Sequence, residues 1–338
     1  MRGNPSLKRS AVWRLAFDVR RYALSRLFAA RWIGGSNTQH RTAKTGDFAY
    51  FQAMSLTILS IQSSVAYGHV GNNAAVFPLQ RIGVEVWPVN TVHFSNHTGY
   101  GSWRGMVLPV DGVAEVILGI EERGVLHECS GVLSGYMGDA SLGEVILDAF
   151  NRVRRANPDA IYCCDPVMGD VGTGFFVRPG IPEFMRDRTV PAATIITPNQ
   201  FELEYLVNRA VTNLESALGA VEQVMAMGPK VVLVTSLRRA DARNDRIEML
   251  AAEKNRAYAV ETPLLPLAVN GAGDMTAALF FAYWLKSGSI QDALELTVDA
   301  VFSVLEATVQ SSAREIRLIE AQERIANPKR RFPAMQVG

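Results

Sequence analysis

From residue 56 onward, short apolar runs rich in β-branched side chains alternate with stretches whose apolar residues recur every three or four positions. The runs at 56–61, 84–92, 131–134, 161–164, 194–197 and 230–235 predict strands, because brief unbroken apolar segments suit a sheet buried on both faces. The stretches at 73–81, 113–123, 141–156, 199–207 and 213–227 predict helices with one apolar face. Two open on capping-box sequences, Ser141-Leu-Gly-Glu144 and Thr212-Asn-Leu-Glu215, where hydroxyl and carboxylate would satisfy the free N–H groups of the first turn. Segments 246–252 and 256–260 read as a hairpin, and helices at 272–284, 290–308 and 313–325 close the chain. The alternation predicts an α/β fold over 54–338, one domain with a central, mostly parallel sheet and helices on both faces. In such sheets ligands bind beyond the carboxyl ends of the strands.

Composition narrows the class. Of 338 residues 48% are hydrophobic and 20% charged, an ordinary globular balance that excludes disorder as the dominant state. Three cysteines, two of them adjacent, exclude a disulfide scaffold and suit a reducing, cytoplasmic compartment. The net charge of +1 hides an asymmetry: residues 1–53 hold ten Lys/Arg against Asp18 and Asp47. That makes 1–53 a basic N-terminal extension with three readings: an organellar transit peptide, a membrane-surface helix, or translated sequence ahead of a start at Met54. The remaining chain carries 24 basic and 31 acidic groups, which excludes a nucleic-acid partner. The charge-free stretch 48–80 is broken by Gln52, Ser60, Gln62, Asn72 and other polar residues, so no membrane span is expected.

Candidate chemistry sits just past the strand ends. Asn270-Gly-Ala-Gly-Asp274 opens an apolar helix. Glycines let backbone N–H groups approach an anion, and a helix start adds partial positive charge. Asp274 there is placed to take a proton from a hydroxyl, although by itself the motif is equally a glycine turn with Asp274 as helix cap. It lacks the third glycine and preceding strand of a dinucleotide fingerprint, and no P-loop sequence occurs. Asp165, followed by Pro166-Val-Met-Gly-Asp170, and Glu202, in Thr197-Pro-Asn-Gln-Phe-Glu202, follow two other strands. Carboxylates on neighbouring strand tips suit Mg²⁺, which takes only one or two protein oxygens. The loop Phe94-Ser-Asn-His-Thr-Gly-Tyr-Gly101 mixes polar and aromatic groups as a flat heteroaromatic ligand requires, with Ser63 and Tyr136 at the same sheet end.

Together with Ile61-Gln-Ser-Ser-Val-Ala-Tyr-Gly68, Ser134-Gly-Tyr136 and Cys164-Asp-Pro-Val-Met-Gly169, these motifs resemble the pyridoxal kinases of the ribokinase-like superfamily, in order over residues 56–330. The resemblance implies ATP-dependent phosphorylation of the 5′-hydroxymethyl group of pyridoxal, and often of pyridoxine and pyridoxamine, by a homodimer. It implies Asp274 as base and the amides of Gly271, Ala272 and Gly273 as the anion hole. Asp165 and Glu202 would hold Mg²⁺ directly or through water, with Asp170, Thr197 and Asn199 near the phosphates and Thr235 and Ser236 on the nucleotide side. Ser63 and Thr98 would hydrogen-bond the pyridine ring, walled by Val70, Phe94, His97, Gly99 and Tyr136. A monovalent cation is a further expected cofactor. Asn270 departs from the pattern: pyridoxal kinases often place a small apolar residue there, and Asn resembles the sugar kinases. A hydroxymethylpyrimidine or sugar kinase, or a vitamin B6 carrier with little turnover, are the rival readings. The charged stretch 237–246 falls in the lid region.

Overall fold

The computed structural model describes residues 56–338, and the expectations for 1–53 lie outside them. The strands are β1 (Thr57–Val65), β2 (Glu85–Phe94), β3 (Gly105–Val107), β4 (Gly131–Ser134), β5 (Ile161–Cys164), β6 (Gly169–Asp170), β7 (Gly174–Phe175), β8 (Ile195–Ile196), β9 (Val231–Leu237), β10 (Arg246–Glu253), β11 (Arg256–Pro263) and β12 (Met335–Gln336). The helices are α1 (Asn72–Arg81), α2 (Val110–Glu122), α3 (Ser141–Ala156), α4 (Ile181–Phe184), α5 (Val190–Ala192), α6 (Gln200–Val207), α7 (Leu214–Met227), α8 (Ala272–Ser287), α9 (Ile290–Gln310) and α10 (Gln322–Ala326).

All strands but β6 and β7 form one sheet in the order β12-β11-β10-β9-β8-β5-β4-β1-β2-β3. The six from β9 to β2 are parallel, and antiparallel strands extend both ends. The parallel centre is apolar on both faces because successive side chains point opposite ways. In β9, Val232 and Val234 pack with α2, α3, α6 and α7, while Val231 and Leu233 pack with α1, α8 and α9. Among the described residues no helix is long and apolar enough to cross a membrane.

The structure corrects three local expectations. Ser141 does not cap α3: its hydroxyl donates to Asp139 Oδ1 (2.6 Å), while Glu144 pairs with Arg188. The box at α7 lies one residue later, between Asn213 and Ser216, since Asn213 accepts from the Ser216 N–H. The helix expected at 313–325 is mostly loop; Ser312 takes φ 50°, which ends α9's continuation, and only α10 is helical. The short pieces β3, β12 and α4–α5 were not anticipated, being too brief for periodicity to register.

Candidate active site

The register of β1 against β2 slips between Gln62 and Ser64, placing Ser63 at a bulge. A bulge re-aims the side chain it carries, and Ser63 is buried in the wall of a cavity of about 200 Å³. Gly71 follows at φ 54°, before α1. A Cβ on Gly71 would fall 2.3 Å from the Ser63 carbonyl oxygen, so only glycine fits, and its N–H bonds to the Asp274 carboxylate.

At the start of α8, Gly271 takes φ 89° with its Cα facing the His69 carbonyl, which a Cβ would meet at 1.8 Å. Gly271, not Asp274, is the N-cap, so Asp274 sits within the first turn and is no ordinary cap. The N–H groups of Gly271, Ala272 and Gly273 have no acceptor inside the helix and carry the positive end of its dipole. Asp274, Gly271 and Gly273 line the cavity; Ala272 lines an open cleft of about 1690 Å³ that shares Phe94, His97, Thr98, Tyr136 and Asn270 with it.

Two more carboxylates face this helix start from the strand ends. Asp165, directly after β5, accepts from the Thr197 hydroxyl (2.9 Å) beyond β8. Its carboxyl is pushed up to about 8 by burial and then by repulsion from Asp274, against the pull of Thr197. Glu202 closes a capping box with Asn199, the N-cap of α6, and accepts N–H groups of Asn199 and Met168 (2.9 Å each). Burial and then Asp165 hold Glu202 well above the carboxylate range. Burial also raises Asp274, opposed by the N–H groups of Gly71 and of Asp274 itself. Asn199 spends its amide on Glu202 N–H and on the Gly169 carbonyl (2.8 Å), which fixes the β6 strand bearing Asp170. Thr235 stands beside it through the Asn199–Thr235 bridge, and Ser236 follows in the left-handed region at φ 53°. Thr235, Ser236, Ala272 and Gly273 also border a slot of about 100 Å³ walled by apolar residues of β10, β11 and α9.

Among the described residues no cluster of three or more carboxylates, imidazoles or thiols forms a metal cage. The donor set still suits Mg²⁺ accompanied by phosphate oxygens and water. Asp165 and Glu202 are buried, like-charged neighbours, each destabilised when ionised, and a divalent cation relieves that repulsion.

The cavity is also lined by Val70, Phe94, His97, Thr98 and Tyr136, with Gly99 on the adjoining cleft. Every site residue expected from sequence therefore lines one of these connected or adjoining hollows. Three participants were missed. Gly71 offers only a Gly-Asn-Asn helix start as signal. Asn270, in sequence only a departure from the family pattern, lines both cavity and cleft. Glu315 falls in the helix expected at 313–325 but stands on the loop after α9; nothing local marks its long-range bonds to His69, His97 and Tyr100.

Residues 127–316 match the family described as phosphomethylpyrimidine kinase. The chain is 64% identical over 288 residues to the pyridoxal kinase PdxY of Rubrobacter xylanophilus, covering 85% of this chain and 99% of that one. It is 56% identical to the PdxY of Leifsonia xyli, over 84% of this chain and all of that relative. Among solved structures, the pyridoxal kinase of Leishmania donovani in complex with ADP and pyridoxamine superposes with a TM-score of 0.78 at 27% identity, covering 83% of this chain and 99% of that one. The same enzyme with ADP and ginkgotoxin gives the same TM-score at 28% identity, with the same coverage. On fold and sequence together, the chain belongs to the PdxY pyridoxal kinases, with the ribokinase-like fold.

Proposed function

We propose that this protein transfers the terminal phosphoryl group of ATP to the 5′-hydroxymethyl group of pyridoxal. The observation that carries the reading is the meeting, in one cavity, of the Asp274 helix start with the Ser63, His97, Thr98 and Tyr136 wall. The naming of relatives at 64% and 56% identity as pyridoxal kinases supports it.

In this reading the ring lies against Val70, Phe94 and Tyr136, and its hydroxymethyl oxygen faces Asp274. That oxygen attacks the terminal phosphorus; the new O–P bond forms as the bond to the leaving ADP oxygen breaks, and the hydroxyl proton passes to the Asp274 carboxylate. A primary alcohol is far too weak an acid to lose its proton to a carboxylate beforehand, so the transfer comes late, as bonding to phosphorus acidifies the oxygen. Burial of Asp274 helps, because a carboxylate held above its ordinary range is a better proton acceptor. The N–H groups of Gly271, Ala272 and Gly273 neutralise charge on the moving phosphoryl group. Asp165 and Glu202 would hold Mg²⁺, with Asp170 and Thr197 beside the phosphates; the ion supplies neutralisation of phosphate charge. Thr235, Ser236 and the adjoining apolar slot take the nucleoside end. The homodimer and action on pyridoxine and pyridoxamine belong to the same proposal.

The test is ADP release by the purified chain with Mg-ATP and, separately, pyridoxal, pyridoxine, pyridoxamine, hydroxymethylpyrimidine or ribose. Turnover with the pyridines is the expected result. Preference for the pyrimidine would overturn the substrate assignment in favour of the reading suggested by the family match at 127–316. Pyridoxal binding without any turnover would favour a carrier.

A further inference from the structure

Glu315 reaches from the loop after α9 into the wall of the ring pocket. Its carboxylate, about nine-tenths buried, accepts three hydrogen bonds from two other loops. These come from the Tyr100 hydroxyl (2.6 Å), His97 Nε2 (3.1 Å) and the His69 N–H (3.1 Å). Room for it is built in: Gly68 has φ 93°, and a Cβ there would stand 2.3 Å from Glu315 Oε2. The neighbouring Arg314 lies 3.8 Å over the Tyr100 ring and donates to the Gly99 carbonyl (3.3 Å), pinning the same loop.

An ionised carboxylate offers only lone pairs, so His97 Nε2 must carry the proton. In the neutral ring that leaves Nδ1 as a bare acceptor. His97 is 7% exposed, its Nδ1 is buried and has no partner among the described residues, and the ring lines the cavity. A buried acceptor of this kind is costly until a ligand donates to it. The space beside it is kept open by Gly99: a Cβ there would lie 3.0 Å from His97 Nδ1 and 2.8 Å from the Asn270 amide nitrogen.

We infer that Glu315 is a positioning residue for substrate recognition: it holds His97 in the Nε2–H form, so that Nδ1 accepts a hydrogen bond from a hydroxyl or N–H on the edge of the pyridine ring. The role of the pocket as a pyridine site rests on the reading above; the tautomer does not. Glu315 itself bonds His69, His97 and Tyr100 rather than Asp274, Gly271, Ala272 or Gly273, so the expected effect falls on substrate binding and not on the chemical step.

The experiment begins with the wild-type full chain labelled with ¹⁵N-histidine, with His97 identified by its loss in His97→Gln. Long-range ¹H–¹⁵N spectra are expected to show a protonated Nε2 and a bare Nδ1 in the free protein, with the Nδ1 resonance moving on addition of pyridoxal without ATP. Glu315→Gln, whose amide can also donate, is expected to lose the single tautomer and to raise the pyridoxal KM about tenfold or more, the worth of a charge-assisted bond, with kcat and the ATP KM within about threefold. A protonated Nδ1 in the wild type, or a Glu315→Gln pyridoxal KM unchanged within about twofold, would overturn the inference. If the variant fails to fold, the wild-type spectrum decides alone. A wild type that does not phosphorylate pyridoxal would remove the kinase reading while leaving the tautomer result to judge Glu315.

Discussion

Asp274 lies between two opposed influences: burial raises its carboxyl, while the N–H of Gly71 and its own N–H draw it back down. Burial makes it a better proton acceptor as the substrate oxygen bonds to phosphorus, while the N–H groups favour its charged form. Asp274→Asn keeps the size and an acceptor for Gly71 but removes the proton acceptor. It should lower kcat by about 10²–10⁴-fold with the pyridoxal KM within a few-fold, measured by ADP release. A loss below about tenfold would mean that alignment and the helix-start N–H groups suffice. Asp165 makes a second residue-scale prediction. Its folded value of about 8 stands above the ordinary 3.8, raised first by burial and then by Asp274. The folded protein therefore holds a proton there that the unfolded chain has released between those values. Its stabilising share is complete below about pH 4 and is lost as pH rises through about 8. In chelator-treated protein, Tm should fall between about pH 5 and pH 9, and Asp165→Asn, which cannot ionise, should flatten that fall. An unchanged slope in the variant would place the titration elsewhere.

At the scale of elements, what sequence reveals is what repeats over enough residues to have a period. The parallel strands and the helices α1, α3, α7, α8 and α9 were legible because their apolar faces recur over ten or more residues, or follow a β-branched run. The site was legible where a backbone device needs a fixed residue type: glycine before Asp274, where φ is 89° and a carbonyl crowds the Cα. Capping chemistry was legible only to within a residue, as at Asn213. Where two motifs share the same residues, one masked the other. Glu202 drew attention as a metal ligand, yet it is also the carboxylate of the Asn199 box that seats α6. The helix expected at 313–325 rests on the three- and four-residue spacing of Leu318, Ala321 and Ile325; the loop 311–321 itself carries Ile316, Leu318 and Ala321, two and three apart. They are buried against the α8–α9 side of the sheet from a non-helical backbone. No local pattern reports a partner more than two hundred residues away, which is the separation between Glu315 and each of the groups it binds.

At the scale of the whole molecule, the C-terminal tail ties α9 to the sheet edge. β12 pairs with β11, and Arg331 reaches Asp299 Oδ1 (2.5 Å), Ser303 Oγ (2.6 Å) and Glu306 Oε2 (3.0 Å) along α9. Asp299 is 1% exposed, and that guanidinium and the Lys329 N–H are its partners. Arg331→Ala would leave a buried carboxylate without its cation. The cost should be about 3 kcal/mol, the lower end for a broken buried pair, because Arg331 itself is about a third exposed. Urea unfolding checks this. Asp299 lies midway along α9, about three turns before the Glu315 loop, whereas Ser63 and Asp274 sit on β1 and α8 and His97 on the loop after β2. The pyridoxal KM of Arg331→Ala should therefore stay within about twofold of wild type at a temperature where both are folded, because its ring contact Phe302 borders the cleft and the apolar slot but not the cavity that holds Ser63 and Asp274. A KM that rises with the loss of stability would mean that α9 transmits the tail's tension to the ring pocket through Glu315, and that the fold's edge and its site are one mechanical unit.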